Sequence, residues 1–374
     1  MRRARIGVIG AGFWAAYQYL PFFRDHPEVE LVGCVRKTDE GLDAFREEFG
    51  LEVATSSVSQ LLAAGVDGVV VSSPHTLHRE HAVAALEAGA HVLVEKPMTV
   101  TLADADAVVA AAAAAGRTVS VAHGWNYSRL TTWAKEMLVA DRIGRVTSMN
   151  GYMASCLTDL FSGRTGYGII EVAGFPVEAE TATWAKADAG GGYLYGQLSH
   201  LLGLGLWLVP SEPEEVFARA QLLENGVDLD IQASVRLADG VIGSFSGHGH
   251  QPWARRHACD LRIAGEAGMI VLDFDRVQAQ MMLQGDKEKA EVLYLGPEPP
   301  AVDDDWVYTC DGPAQFLVDV CLGRAPVDRA PGDLGVRTVA VMEAALQSAH
   351  SGRPVPIAEL GRTAWRPGAK SPRE

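Results

Sequence analysis

Near the start of the chain a short apolar run, residues 5–9, ends on Gly10-Ala11-Gly12-Phe13-Trp14-Ala15. This Gly-x-Gly-x-x-Ala spacing restricts the fold more than any other feature. Gly10 permits a tight turn after a strand. Gly12 lets backbone approach a diphosphate, and Ala15 keeps the next helix close to the strand. Free N–H groups at the helix start favour an anion. At the first strand-to-helix turn of a βαβ pattern, the motif reads as a dinucleotide site.

The chain after it keeps that pattern. Strands are predicted at 30–35, 68–72, 91–94 and 118–122, and helices at 13–23, 39–49, 77–88 and 101–115. Thr101 and Asp104 form a capping pair for the last helix, and Gly116 stops it. Apolar strands alternating with helices imply a parallel sheet covered on both faces.

Beyond residue 124 the pattern changes. A helix at 128–140, a strand at 146–153 and a loop-rich stretch at 154–189 precede a helix at 192–208. Strands at 216–223, 229–237, 241–248, 260–264 and 268–273 come next without intervening helices. The expected fold is α/β: an N-terminal Rossmann doubly wound parallel sheet, plus a C-terminal α+β domain with a large open, mostly antiparallel sheet. Boundaries are set at 1–123 and 124–360, with a last helix at 334–350 packing back on the first domain. Residues 361–374, rich in Gly, Pro and charge, are expected to form a frayed tail.

The 374 residues suit two domains. With 32 Lys and Arg against 47 Asp and Glu, the net charge is −15, which argues against nucleic-acid and anionic-membrane partners. No run reaches the roughly 18 apolar residues of a membrane span. Five scattered cysteines without a CxxC fit reduced thiols, so a cytoplasmic protein acting on a small molecule is expected.

The second strand ends on Arg36-Lys37-Thr38 rather than on an acid. An acid there would bind a ribose 2′-hydroxyl, whereas Arg36, with Lys37 beside it, can pair with a 2′-phosphate. NADP(H) is therefore the favoured cofactor, and Asp39 leaves NAD(H) open. The fifth strand runs into Glu95-Lys96-Pro97 at the carboxyl edge of the sheet, where open α/β folds bind ligands.

GxGxxA, Ser72-Ser73-Pro74 with His78, Glu95-Lys96-Pro97 and Ile143-Gly144-Arg145-Val146 together resemble the glucose-fructose oxidoreductase/inositol dehydrogenase (Gfo/Idh/MocA) family. The resemblance runs from Arg5 to about Ile357. It implies a Rossmann domain joined to an open-sheet domain, and an NAD(P)-dependent enzyme acting on sugars or cyclitols as a homodimer or homotetramer through the second-domain sheet. It also implies that Lys96 reaches the nicotinamide ribose and the reacting oxygen. Charge chemistry agrees, since a cation stabilises developing alkoxide and a partly buried lysine relays a proton. Glu95 would orient Lys96 or hold the strand end, and Pro97 would fix the turn, a cis bond being one way. Phe13, Trp14 and His75 fall at the cofactor edge. Trp125 and Asn126 match the interdomain crossing and would line the nicotinamide pocket.

The chain departs from the family where a Gly-Gly-Gly helix carries an aspartate and, four residues later, a histidine. His200 matches the histidine, but Gly196 stands at the aspartate. Proton transfer then falls to Lys96 and His200, with Tyr193 placed by spacing on the His200 face. The glycine is expected to leave room for a bulkier substrate. Gln197 is a hydrogen-bonding candidate, and Arg164, Tyr167 and Trp184 in the loop-rich stretch are candidates to contact substrate. His248-x-His250 shares a face, but no acid or Cys completes a set, and no metal is expected. The reading is an NADP(H)-preferring oxidoreductase moving hydride to or from a secondary alcohol or ketone of a sugar, cyclitol or sugar-derived compound, with keto-sugar reduction favoured by the missing aspartate. An imine or thiazoline reductase and a non-catalytic dinucleotide-sensing regulator remain alternatives.

Overall fold

A computed structural model describes residues 2–164, 168–254, 257–285 and 308–361. The first sheet contains β1 (Ala4–Ile9), β2 (Val29–Val35), β3 (Val53–Thr55), β4 (Gly68–Val71), β5 (His91–Val94) and β6 (Val119–Val121). All are parallel, in the order β3-β2-β1-β4-β5-β6. The strands are short, β-branched and buried on both faces, as β4, Gly-Val-Val-Val, illustrates. Strand order reverses between β1 and β4, and this opens a crevice at their carboxyl ends. The helix Leu102–Ala115 starts at Thr101, whose hydroxyl accepts from the Asp104 N–H, and stops at Gly116 in the left-handed region. Alanine's high helix propensity lets six consecutive alanines extend it without a bulky face.

The second sheet holds β7 (Val146–Ser155), β10 (Pro213–Leu222), β11 (Asp228–Leu237), β12 (Ile242–His248), β13 (His257–Gly265), β14 (Gly268–Asp273), β15 (Gln278–Leu283) and β16 (Val355–Pro356). Its order is β15-β14-β13-β7-β12-β11-β10-β16. Neighbours are antiparallel except β7 and β12, which run parallel. Burial alternates along β11 and β12. One face is therefore packed and the other open. The helices Ser199–Leu208 and Gly332–Ser351 lie on the packed face. The longer helix also touches the first domain, where the Leu102 N–H donates to Glu343 and Gly335 abuts Met98 and Val121.

Strands β3, β15 and β16 and a helix at Val58–Ala63 were not anticipated, nor were two further features that touch the first domain. The stretch read as loop folds in part into a hairpin, β8 (Ile169–Val172) and β9 (Phe175–Glu178). Its Val172 and Val177 are buried in the core of the first domain. A helix at Asp311–Cys321 also packs there through Ala314, Leu317 and Val318. Most of the expected tail, 362–374, lies outside the described residues.

Candidate active site

At the crevice, Gly10 has φ +91°, and a Cβ there would lie 2.3 Å from the Ser73 nitrogen. Only glycine meets both conditions. A Cβ on Gly12 would meet nothing within 4 Å, so the space over the turn is open. Ala15 is fully buried. Ser72 bonds back to Ile9 through its N–H, and Pro74 leads into a short turn starting at His75. The His78 ring sits between the carbonyls of Ser73 and Pro97, 2.7 and 2.9 Å from its two nitrogens. It thereby braces the Ser73 loop against the end of β5. These features leave a cradle suited to a dinucleotide diphosphate.

The Arg36 guanidinium donates to the Ala11 carbonyl at 2.6 Å. It lies between the Phe45 ring at 4.3 Å and the Phe175 ring at 5.4 Å. Its Nε is buried without a partner. Phe175 comes from the unanticipated hairpin. Phe13 stacks on Tyr17 and touches Gly168 at the hairpin's approach. Lys37 is exposed and pairs with Glu180 at 3.4 Å.

The Lys96–Pro97 bond is cis. The Glu95 carboxylate accepts from Trp14 Nε1 at 2.8 Å, from the Tyr19 hydroxyl at 2.5 Å and from the Lys96 N–H at 3.0 Å. Glu95 thus locks the strand end and the first helix together, leaving the Lys96 amine to point elsewhere. That amine donates to the Gly196 carbonyl at 2.8 Å and sits 5.3 Å from the Trp184 ring centre. Trp184 also meets His75 edge-on at 4.9 Å. Burial lowers the pKa of Lys96, with Glu95 opposing. Burial, then Lys96 and His123, hold His200 well below the usual histidine range. His123 is pushed down to about 3, chiefly by burial. The His123 and His200 rings are 6.3 Å apart, and the Nδ1 of each is buried without a partner. Lys96 and neutral His200 are thus buried close enough for the lysine charge to act on the imidazole.

Gly196 does not leave the expected room. A Cβ there would lie 2.9 Å from Phe161 and 3.1 Å from Trp184. These two rings fill the space an aspartate would need. Gly196 lies in a π-helical turn, Leu194–Leu198, ahead of Ser199–Leu208. One extra residue in a turn rotates the residues before it by about 100° relative to those after it. This explains why Tyr193 does not share the His200 face. Tyr193 is fully buried against Phe161, with its hydroxyl accepting from Ser155 on β7. Gln197 is half-buried on the same turn.

The other candidates divide. Trp125 is buried edge-on to Phe274 at 4.8 Å and near Tyr308, whose ring meets His200 at 5.6 Å. Asn126 is turned into the core, where Nδ2 donates to the Arg329 carbonyl. Arg164 is exposed and paired with Asp159. Tyr167 lies outside the described residues. Sequence reasoning missed Asp228, which is fully buried and accepts from the Leu194 N–H at 2.8 Å. Its carboxylate fits because Gly192 lacks a Cβ, which would sit 2.1 Å away. It anchors the turn that presents Gly196 and His200. An acid inside the apolar run Val227-Asp228-Leu229 was its only sequence signal.

A Rossmann crevice with a buried lysine at its carboxyl edge defines a class, the nicotinamide-dinucleotide-dependent oxidoreductases. Residues 4–123 match the description "Oxidoreductase family, NAD-binding Rossmann fold", and residues 131–271 match "GFO/IDH/MocA C-terminal domain". The chain belongs to the Gfo/Idh/MocA family. Levoglucosan dehydrogenase of Pseudarthrobacter phenanthrenivorans is 26% identical over 333 residues, covering 82% of this chain and 84% of that protein. The 1-carboxy-3-chloro-3,4-dihydroxycyclohexa-1,5-diene dehydrogenase of Comamonas testosteroni is 30% identical over 250 residues, 62% of this chain. That match spans 57% of the Comamonas protein's length. A levoglucosan dehydrogenase structure in complex with NADH and L-sorbose superposes with TM-score 0.77 at 21% identity, covering 96% of this chain and 99% of that one. At that identity the likeness concerns the fold. Among the described residues no helix is long and apolar enough to cross a membrane.

Proposed function

We propose that this chain is an NADP(H)-preferring oxidoreductase of a secondary alcohol or ketone on a sugar, cyclitol or sugar-derived compound, working as a keto-sugar reductase. The observation that carries the reading is the buried Lys96 amine held by the Gly196 carbonyl beside neutral His200. A carbonyl cannot take the proton or neutralise the ammonium. Lys96 is therefore a stronger acid than one paired with a carboxylate, and this suits it to protonate an oxygen gaining charge. His200 Nδ1 is available to a substrate hydroxyl. The bound nicotinamide supplies the hydride. The glycine turn would hold its diphosphate, and Arg36 a ribose 2′-phosphate. The names of the two curated relatives, dehydrogenases of an anhydrosugar and a cyclic diol, support a CH–OH substrate.

The five cysteines are free, in keeping with a cytoplasmic setting. The open face of the second sheet is the surface we assign to a homodimer or homotetramer. Fluorescence titration of NADPH and NADH, in wild type and Arg36→Ala, tests the cofactor assignment. NADPH should bind more tightly, and the preference should vanish in the variant. Equal binding or an NADH preference in wild type overturns it. A keto-sugar screen with the preferred cofactor then tests the substrate class.

A further inference from the structure

The expectation of no metal rested on the lack of an acid beside His248-x-His250. The fold supplies one from the next strand. Asp230 of β11 is the cross-strand partner of His248 at the end of β12. Two residues further, the chain pairs His250 with Cys156 through backbone. The His248 and His250 rings lie nearly parallel, 20° apart in plane with centres 4.3 Å apart. The Asp230 carboxylate is 3.5 Å from His250 Nδ1. One donor atom from each of the three residues falls within 4.8 Å of the others.

We propose that Asp230, His248 and His250 bind a divalent transition metal ion, of which Zn²⁺ is the representative case. Two imidazoles and one carboxylate suit Zn²⁺, Ni²⁺ or Cu²⁺ better than Mg²⁺ or Ca²⁺, which take oxygen ligands. Three protein ligands would leave a coordination position for water. Two features of His248 support the assignment. Its Nε2 lies 2.9 Å from the Tyr152 hydroxyl, while its Nδ1 is buried without a partner. When Nε2–H donates to Tyr152, Nδ1 presents a lone pair. Metal-ligating histidines are oriented by such a partner on the other nitrogen. His250 is half exposed, so an ion can enter from solvent. The assignment does not depend on the proposed reaction. An ion there would tie β11 to the segment after β12, where the Gly249 carbonyl accepts from the Leu157 N–H and the Thr158 hydroxyl at the root of the Phe161 helix.

The test uses the full chain without a polyhistidine tag, stripped by chelator and titrated with Co²⁺ and then Zn²⁺. One equivalent of Co²⁺ should bind and give ligand-field absorption of nitrogen and oxygen ligation, without thiolate charge transfer. Zn²⁺ should displace it and raise Tm. His250→Ala and Asp230→Asn should abolish the absorption and the Tm shift, while Tyr152→Phe should weaken binding by about 10–100-fold. Unchanged circular dichroism and cofactor binding would show that the variants are folded. No stoichiometric binding, binding that survives both His250→Ala and Asp230→Asn, or a thiolate band would overturn the proposal.

Discussion

The Lys96 amine and the Gly196 carbonyl are joined by a 2.8 Å hydrogen bond across the domain boundary. The partner of the buried lysine is thus a backbone carbonyl and not a carboxylate. The rings of Phe161 and Trp184 occupy the space the carboxylate would need.

Removing the amine should therefore remove the chemistry while leaving the cofactor site whole. Lys96→Ala should lower kcat for ketone reduction by about 10²–10⁴-fold. NADPH fluorescence titration should show binding close to wild type. Turnover that survives the substitution would rule out Lys96 as the proton donor.

Restoring the aspartate should fail unless room is made for it. Gly196→Asp places a Cβ 2.9 Å from Phe161, so overpacking of about 1–3 kcal/mol is expected in urea unfolding. Phe161→Ala alone should also destabilise, by about 3–5 kcal/mol, because the ring is fully buried. Combined, the two should be less harmful than their sum, since each relieves the other. Strict additivity would mean that the two sites do not compete for the same space.

The pH profile carries the sign of the lysine shift. Burial lowers the Lys96 pKa, so the ammonium gives up its proton below the usual lysine value of about 10.4. Reduction needs the charged form and should decline as pH rises through that lowered value. Oxidation, which needs the neutral amine, should rise over the same window. Steady-state kcat measured from pH 6 to pH 10 checks both limbs, and Lys96→Arg should erase them.

Asp228 makes a stability prediction. Burial pushes its carboxyl up to about 7, against the pull of the N–H groups it accepts from. Its unfolded value is about 3.9. The folded chain then holds a proton that the unfolded chain has released, so stability falls as pH rises from about 4 to about 7 and levels off above. Over about three units the loss is at most about 4 kcal/mol. Asp228→Asn cannot ionise and should lack the slope, which paired denaturant curves at pH 4.5 and pH 7.5 would reveal.

The first domain was legible because its signals are local. Gly10, Ala15, the apolar strands and the Thr101 cap each act within a few residues of themselves. The second sheet was legible from its alternation. What escaped was set by partners distant in sequence. Phe161 blocks Gly196, Asp228 caps a turn more than 30 residues before it, and Asp230 meets His248 only because β11 and β12 pair in that register. Tyr193 was misplaced because an α-helical period was assumed through a π turn. The β8–β9 hairpin was read as loop because its core contacts lie on the other domain.

That hairpin has a mechanical consequence. Besides the chain crossing near residues 123–128 and the helix Gly332–Ser351, the hairpin also joins the domains: Phe175 rests on Arg36 and beside Gly41, and Glu180 reaches Lys37. The first domain is therefore held by a strap from the second at the Arg36 end of the sheet as well as by the crossing chain. Any separation of the two at that end must peel Phe175 from Arg36. The strap also runs on through the chain to Trp184, which covers Lys96. The contact on Arg36 and the cover over Lys96 are thus carried by one short stretch of chain, residues 175–184.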